Sequence, residues 1–129
     1  MRILVIDDSA PVRARLVAFL GEAAGVDVVD EARDSLTAYA ALAARAPDVV
    51  VLDLHLPGES GLSILSRIKS APSSPMVVVL TNEGTEQHRR ECLARGADYF
   101  FDKATELDRA LSVVTEVART IPRAVIPSP

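Results

Sequence analysis

Five short apolar runs, at 3–6, 26–29, 49–52, 76–80 and 99–101, are separated by stretches whose apolar residues recur at helical spacing. The first four are rich in β-branched residues and the last is aromatic. A strand with one wet face alternates apolar and polar side chains, whereas unbroken apolarity marks strands covered on both faces, as in a parallel sheet. Parallel neighbours need a crossover, and a helix supplies it. This alternation, with right-handed crossovers, restricts the chain to an α/β, doubly wound, five-stranded parallel sheet with five helices. The second run contains Asp27 and is followed by Asp30 and Glu31, which places it at a sheet edge.

The helical stretches have readable boundaries. Val12, Leu16, Phe19, Leu20 and Ala23 fall on one face, with Ser9 or Ala10 as N-cap, Pro11 in the first turn and Gly25 as the stop. Leu36, Ala40 and Ala43 mark a second helix that ends near Pro47. Leu62, Leu65 and Ile68 mark a third, opening around Ser60 and Gly61 and closing before Pro72. The fourth, over 85–95, is poor in apolar residues beyond Cys92 and Leu93; Glu86 with Arg90 and Glu91 with Arg95 form supporting i,i+4 pairs. Leu107, Leu111, Val114, Ala118 and Ile121 define the fifth, whose Thr105 and Asp108 have the spacing of a capping box. Residues 1–121 are thus expected to form one domain, and 122–129, with three prolines, a tail or linker stub.

Bulk properties exclude several functions. A net charge of −4 gives no footprint for nucleic acid or an anionic membrane surface. The single cysteine, Cys92, cannot form an internal disulfide, which fits a reducing cytoplasm. No apolar stretch reaches the length of a membrane span. No glycine-rich phosphate loop comes after the first strand.

What remains is the content of the strand ends. Ligands of open parallel sheets bind in the crevice outside the strand carboxyl ends. Asp7 and Asp8 follow the first run, Asp53 the third, Thr81 the fourth and Lys103 the fifth. Singly, each has a plain reading: helix cap, satisfied strand-end acid, β-former, solvated surface charge. Together they bring three carboxylates, a hydroxyl and an ammonium to one rim. Crowded carboxylates repel unless a cation intervenes, and a hard divalent metal such as Mg²⁺ suits oxygen ligands. A carboxylate nucleophile beside a metal and a lysine is equipment for forming an aspartyl phosphate.

The segments Ile6-Asp7-Asp8-Ser9, Leu52-Asp53-Leu54-His55-Leu56-Pro57-Gly58, Leu80-Thr81, Gly96-Ala97-Asp98 and Lys103 resemble those of response-regulator receiver domains of bacterial two-component systems. The likeness spans roughly 2–121. It implies the flavodoxin-like strand order 2-1-3-4-5. Asp53 then corresponds to the phosphoacceptor, and Asp7, Asp8, Asp53 and the backbone carbonyl of His55 to the ligands of Mg²⁺ or Mn²⁺. Thr81 corresponds to the switch hydroxyl, Lys103 to the cation paired with the phosphoryl group, and Phe100 to a switch aromatic that turns inward when Thr81 moves. The implied donor is a histidine kinase or histidine phosphotransfer protein. The implied output is a changed surface of the fourth helix, fifth strand and fifth helix, read by an effector protein, an output domain or a second phosphorylated copy. Such a domain assists its own phosphorylation and dephosphorylation and turns over no separate substrate. With no room for an effector domain, the chain is expected to be a stand-alone receiver or the receiver part of a larger regulator.

Three features are individual. Ala104 follows the lysine where most receivers carry proline, so a trans Lys103–Ala104 bond is expected. His55 and Glu83 lie two residues after Asp53 and Thr81, at positions that the resemblance implies flank the phosphoryl group; they either approach each other and gate the hydrolytic water or are solvated loop residues. His88, Arg89, Arg90 and Arg95 make the fourth helix basic, as a solvated face or a surface for an acidic partner. Two other readings compete. One is a pseudoreceiver that is never phosphorylated. The other is a haloacid-dehalogenase-type phosphatase, whose two aspartates lie one residue apart rather than adjacent as here.

Overall fold

The computed structural model describes residues 1–82 and 84–120. The elements run β1 (Arg2–Ile6), α1 (Ala10–Gly21), β2 (Val28–Ala32), α2 (Ser35–Ala44), β3 (Val49–Leu52), α3 (Gly61–Lys69), β4 (Met76–Thr81), α4 (Glu86–Ala94), β5 (Tyr99–Asp102) and α5 (Leu107–Thr120). All strand pairings are parallel, in the order β2-β1-β3-β4-β5. The expected doubly wound sheet is therefore present.

Unbroken strand apolarity has the expected cause. Leu4, Ile6, Val50, Leu52, Val77 and Val79 point to one face, where they meet Ala38 of α2, Ile64, Leu65 and Ile68 of α3 and Cys92 of α4. Ile3, Val5, Val49, Val51, Val78 and Leu80 point to the other, against Leu16 and Leu20 of α1 and Ala110, Val114 and Ala118 of α5. Alternate side chains of each central strand thus enter different cores. Each fully buried valine, leucine or isoleucine adds roughly 1.5–3 kcal/mol.

Four expectations are corrected at the edges. The second strand is Val28–Ala32 rather than 26–29. Asp27 instead ties the chain start down, its N–H donating to the Met1 carbonyl and its carboxylate pairing with the terminal ammonium. An edge strand tolerates Asp30 and Glu31, so apolarity marks its position poorly. In α2 the expected stripe of Leu36, Ala40 and Ala43 faces solvent, and Ala38, with Ala41 and Leu42, faces the core. Phe19 and Leu93 are exposed rather than core residues. α5 starts at Leu107 with no Thr105–Asp108 box; Asp102 and Glu106 organise the turn before it. Ile121 and the tail at 122–129 lie outside the described residues.

Helix starts are well capped. Ser9 accepts from the Val12 N–H of α1, and Asp34 and Thr37 form a reciprocal capping box on α2. At α3 the constraint is space. Gly61 donates its N–H to the Leu54 carbonyl at 3.1 Å, and a Cβ on Gly61 would lie 2.4 Å from the Leu54 Cα. Leu54 follows Asp53 directly, so this close approach fixes the loop behind Asp53. Gly61→Ala is expected to destabilise the protein by about 1–3 kcal/mol through overpacking. Urea unfolding checks this; a change below about 0.5 kcal/mol, as at an ordinary surface site, contradicts it.

Candidate functional site

Sheet register assembles the site. Ile6 pairs with Leu52 across β1 and β3, so Asp7 and Asp53 emerge side by side, and the Asp53 N–H donates to the Ile6 carbonyl at 2.9 Å. Thr81 pairs with Asp102 across β4 and β5, and the Lys103 N–H donates to the Thr81 carbonyl at 2.8 Å. Four of the five rim residues predicted from sequence are thereby fixed by strand pairing, and Asp8 follows Asp7.

Ligand oxygens of Asp7, Asp8 and Asp53 all lie within 4.8 Å of one another. Asp7 and Asp53 are buried, at 2% and 4% exposure, while Asp8 faces outward. The Lys103 ammonium joins the two buried acids, 2.7 Å from Asp7 Oδ2 and 3.2 Å from Asp53 Oδ2. The remaining oxygens are also held. Asp53 Oδ1 accepts from the His55 N–H at 3.1 Å, and Asp7 Oδ1 from the Ser9 N–H at 2.8 Å. Arg13, not singled out from sequence, donates to the Asp7 carbonyl at 2.8 Å and to Glu31 at 3.1 Å, bracing the loop that carries the acid pair.

Charge in this pocket is unbalanced. Burial raises the Asp53 pKa above the ordinary carboxylate value, and the Asp7 charge adds to this; the His55 N–H and Lys103 oppose without reversing it. Burial alone would lower the Lys103 pKa, but its bonds and charge pairing with Asp7 and Asp53 raise it. Three carboxylates against one ammonium leave the site short of positive charge. Mg²⁺ lies about 2.1 Å from its oxygens, so ligands opposite one another across one ion are about 4 Å apart. The oxygen-only donor set therefore suits a single hard divalent cation, and drawing oxygens that lie within 4.8 Å of one another to about 4 Å asks for only a small closure.

The remaining candidates are unequally placed. Thr81 is fully buried. Phe100, expected to turn inward, is already inside at 6% exposure, in the cluster with Val79, Cys92 and Ala97. His55 is exposed, and Glu83 lies outside the described residues. No cis peptide bond occurs among the described residues, in line with the trans bond expected before Ala104. The basic run on α4 is largely engaged locally. Arg90 and Arg95 pair with Glu86 and Glu91, and Arg89 donates to the Phe100 carbonyl. Asp98, noted only as part of a motif, accepts from the Val77 N–H and pairs with Lys69. No helix among the described residues is long and apolar enough to cross a membrane.

A family model described as the response regulator receiver domain matches residues 3–115. Protein-glutamate methylesterase/protein-glutamine glutaminase 5 of Myxococcus xanthus (strain DK1622) is 41% identical over 108 residues, covering 83% of the chain and 31% of that protein. The chain thus spans about a third of the length of the curated relatives it matches. Among solved structures, the signal receiver domain of a DNA binding response regulator from Colwellia psychrerythraea 34H superposes with a TM-score of 0.84 at 28% identity, covering 93% of this chain and 99% of that one. The Mn²⁺-bound form of response regulator Rcp1 superposes with a TM-score of 0.74 at 25% identity, covering 98% and 99%.

Proposed function

Because the chain belongs to the response regulator receiver domain family, we propose that Asp53 is its phosphoacceptor, loaded from a phosphohistidine of a histidine kinase or phosphotransfer protein. The observation that carries this reading is the convergence of Asp7, Asp8 and Asp53 within 4.8 Å, with Lys103 3.2 Å from Asp53. In the transfer, an Asp53 carboxylate oxygen forms the new bond to phosphorus as the bond to the histidine nitrogen breaks. The His55 N–H and the Lys103 ammonium hold the carboxylate in place beforehand. Preorganised charge at a site where charge develops is the main resource of phosphoryl-transfer proteins.

Asp7, Asp8, Asp53 and the His55 carbonyl would hold Mg²⁺ or Mn²⁺. When bound, the ion supplies positive charge to the transferring phosphoryl oxygens. Lys103 supplies the rest and stays with the phosphorylated side chain. The new acceptor oxygens draw the Thr81 hydroxyl. Phe100 is already inside, so movement of Thr81 repacks the core around its ring rather than drawing in an exposed one. The readout surface is α4, β5 and α5. α4 is its softest member, with Cys92 as its one buried residue. The domain acts through binding, with an effector protein or output domain as partner.

Incubation with a small acyl phosphate, followed by intact mass measurement, tests the reading. One phosphoryl group per chain is expected with Mg²⁺ and none in excess chelator; no adduct with any donor overturns it. Metal binding has its own signature. Mg²⁺ at a hundredfold excess over its dissociation constant is expected to stabilise the fold by about 2.7 kcal/mol. Asp8→Ala is expected to remove most of that thermal shift and to slow phosphorylation with it. An unchanged Mg²⁺ shift in Asp8→Ala contradicts the ligand assignment.

A further inference from the structure

The turn between β5 and α5 carries Lys103, and its geometry depends on the residue before it. Asp102 Oδ1 accepts from the Ala104 N–H at 2.9 Å and the Thr105 N–H at 3.3 Å, so one carboxylate oxygen spans the lysine. Glu106 closes the same turn through its side chain and its main chain. The Asp102 N–H donates to Glu106 Oε1 at 2.9 Å, and the Glu106 N–H donates to the Asp102 carbonyl at 2.7 Å. The other oxygen, Oδ2, faces Gly84, where a Cβ would lie only 2.7 Å away. Gly84 belongs to the loop leaving Thr81. Asp102 therefore faces Gly84, just past Thr81, while it holds the turn that carries Lys103, and it is the strand partner of Thr81.

We propose that Asp102 is a positioning residue: by spanning the β5–α5 turn and packing on Gly84, it sets where the Lys103 ammonium sits between Asp7 and Asp53. Its role in phosphoryl transfer rests on the reading of Asp53 given above; its role in placing Lys103 does not. The physical case is one of reach. A lysine stem has four flexible carbons and a large rotamer entropy, so its ammonium is held at a buried site only when its main chain is held too. The Thr81 carbonyl holds the Lys103 N–H, and Asp102 supplies the hold on the residues after it, its two side-chain hydrogen bonds closing the chain over Lys103.

Two measurements on Asp102→Ala and Asp102→Asn test this. The chain has only two lysines, Lys69 and Lys103, so reductive methylation of the unphosphorylated protein with peptide mass mapping reads Lys103 against an internal control. The Lys103 side chain is 8% exposed and that of Lys69 18%. Asp102→Ala is expected to speed labelling of Lys103 at least threefold and leave Lys69 unchanged. Asp102→Asn, which keeps the Oδ1 acceptor, is expected to restore protection. The phosphorylation rate is expected to fall about tenfold in Asp102→Ala, to recover in Asp102→Asn, and to be insensitive to Asp102→Ala when Lys103 is already alanine. Unchanged labelling of Lys103 in Asp102→Ala, or an equal loss in the Lys103→Ala background, overturns the proposal. If the wild type takes up no phosphoryl group, the Asp53 reading fails, and labelling alone still decides whether Asp102 places Lys103.

Discussion

Asp53→Asn is expected to abolish phosphoryl uptake and, at the same time, to make the metal-free protein more stable at neutral pH. The loss arises because an amide is no nucleophile for this transfer and neither Asp7 nor Asp8 occupies the Asp53 position between His55 and Lys103. The gain comes from burial. The folded-state pKa of Asp53 is raised even with Lys103 beside it, so the ionised carboxylate is worse off in the fold than in the unfolded chain. A group of this kind contributes stability below its unfolded pKa and loses it as pH climbs through the higher folded value. Wild type without metal should therefore lose stability as pH rises past the ordinary carboxylate range, and Asp53→Asn should lack that fall. Urea midpoints across pH, with chelator present, check the sign. A less stable Asp53→Asn protein at neutral pH contradicts the picture of a site short of positive charge. Added Mg²⁺ should reverse the order, since the ion stabilises wild type and finds one ligand fewer in the variant.

Lys103→Ala is expected to be the most damaging substitution in the site. Its ammonium is the only cation bonded to both buried acids among the described residues. Removing one partner of a buried ion pair costs about 3–5 kcal/mol, because the remaining charge is left without a counterion. That is a large share of the roughly 5–15 kcal/mol that holds an ordinary domain together. The cost is expected to shrink in two conditions. Acid relieves it, because protonation of Asp53 removes a stranded charge, and Mg²⁺ relieves it by replacing the lost positive charge. At alkaline pH the sign differs. Lys103, with its raised folded pKa, stabilises wild type below the ordinary lysine range, and this contribution is lost as pH rises through the folded value. The variant has no such contribution to lose, so the two proteins should converge at high pH. Mg²⁺ binding should persist in Lys103→Ala while phosphoryl transfer slows strongly. A variant with wild-type stability in chelator would mean that the ammonium does not carry the balance of charge assigned to it.

The central strands and their terminal acids are legible because Val49–Leu52 and the neighbouring runs are apolar at every position, a pattern only a doubly covered strand needs. Once the strands are placed, the rim is set by sheet topology. Legibility fails where side chains are small or half exposed. In α2, the stripe of Leu36, Ala40 and Ala43 and that of Ala38, Ala41 and Leu42 differ by a rotation that alanine does little to resolve. In β2, edge exposure admits Asp30 and Glu31, and the strand slides past the apolar run that suggests it. Phe19 reads as core from its spacing but lies outside the packed face of α1. Within the site, membership is legible and bonding is not. The Lys103 contact with Asp7 joins residues 96 positions apart, and Asp102 as a turn spanner leaves only an acid beside a lysine as its trace.

The residue that carries the phosphoryl group decides between Asp53 and every other acceptor. Wild-type protein is loaded from an acyl phosphate with Mg²⁺, reduced with borohydride to convert an aspartyl phosphate to homoserine, and sequenced by peptide mass. The prediction is homoserine at position 53 and at no other aspartate, with none formed in excess chelator. Homoserine at position 7 or 8, a label on His55 or His88, or full loading without a divalent ion would contradict it.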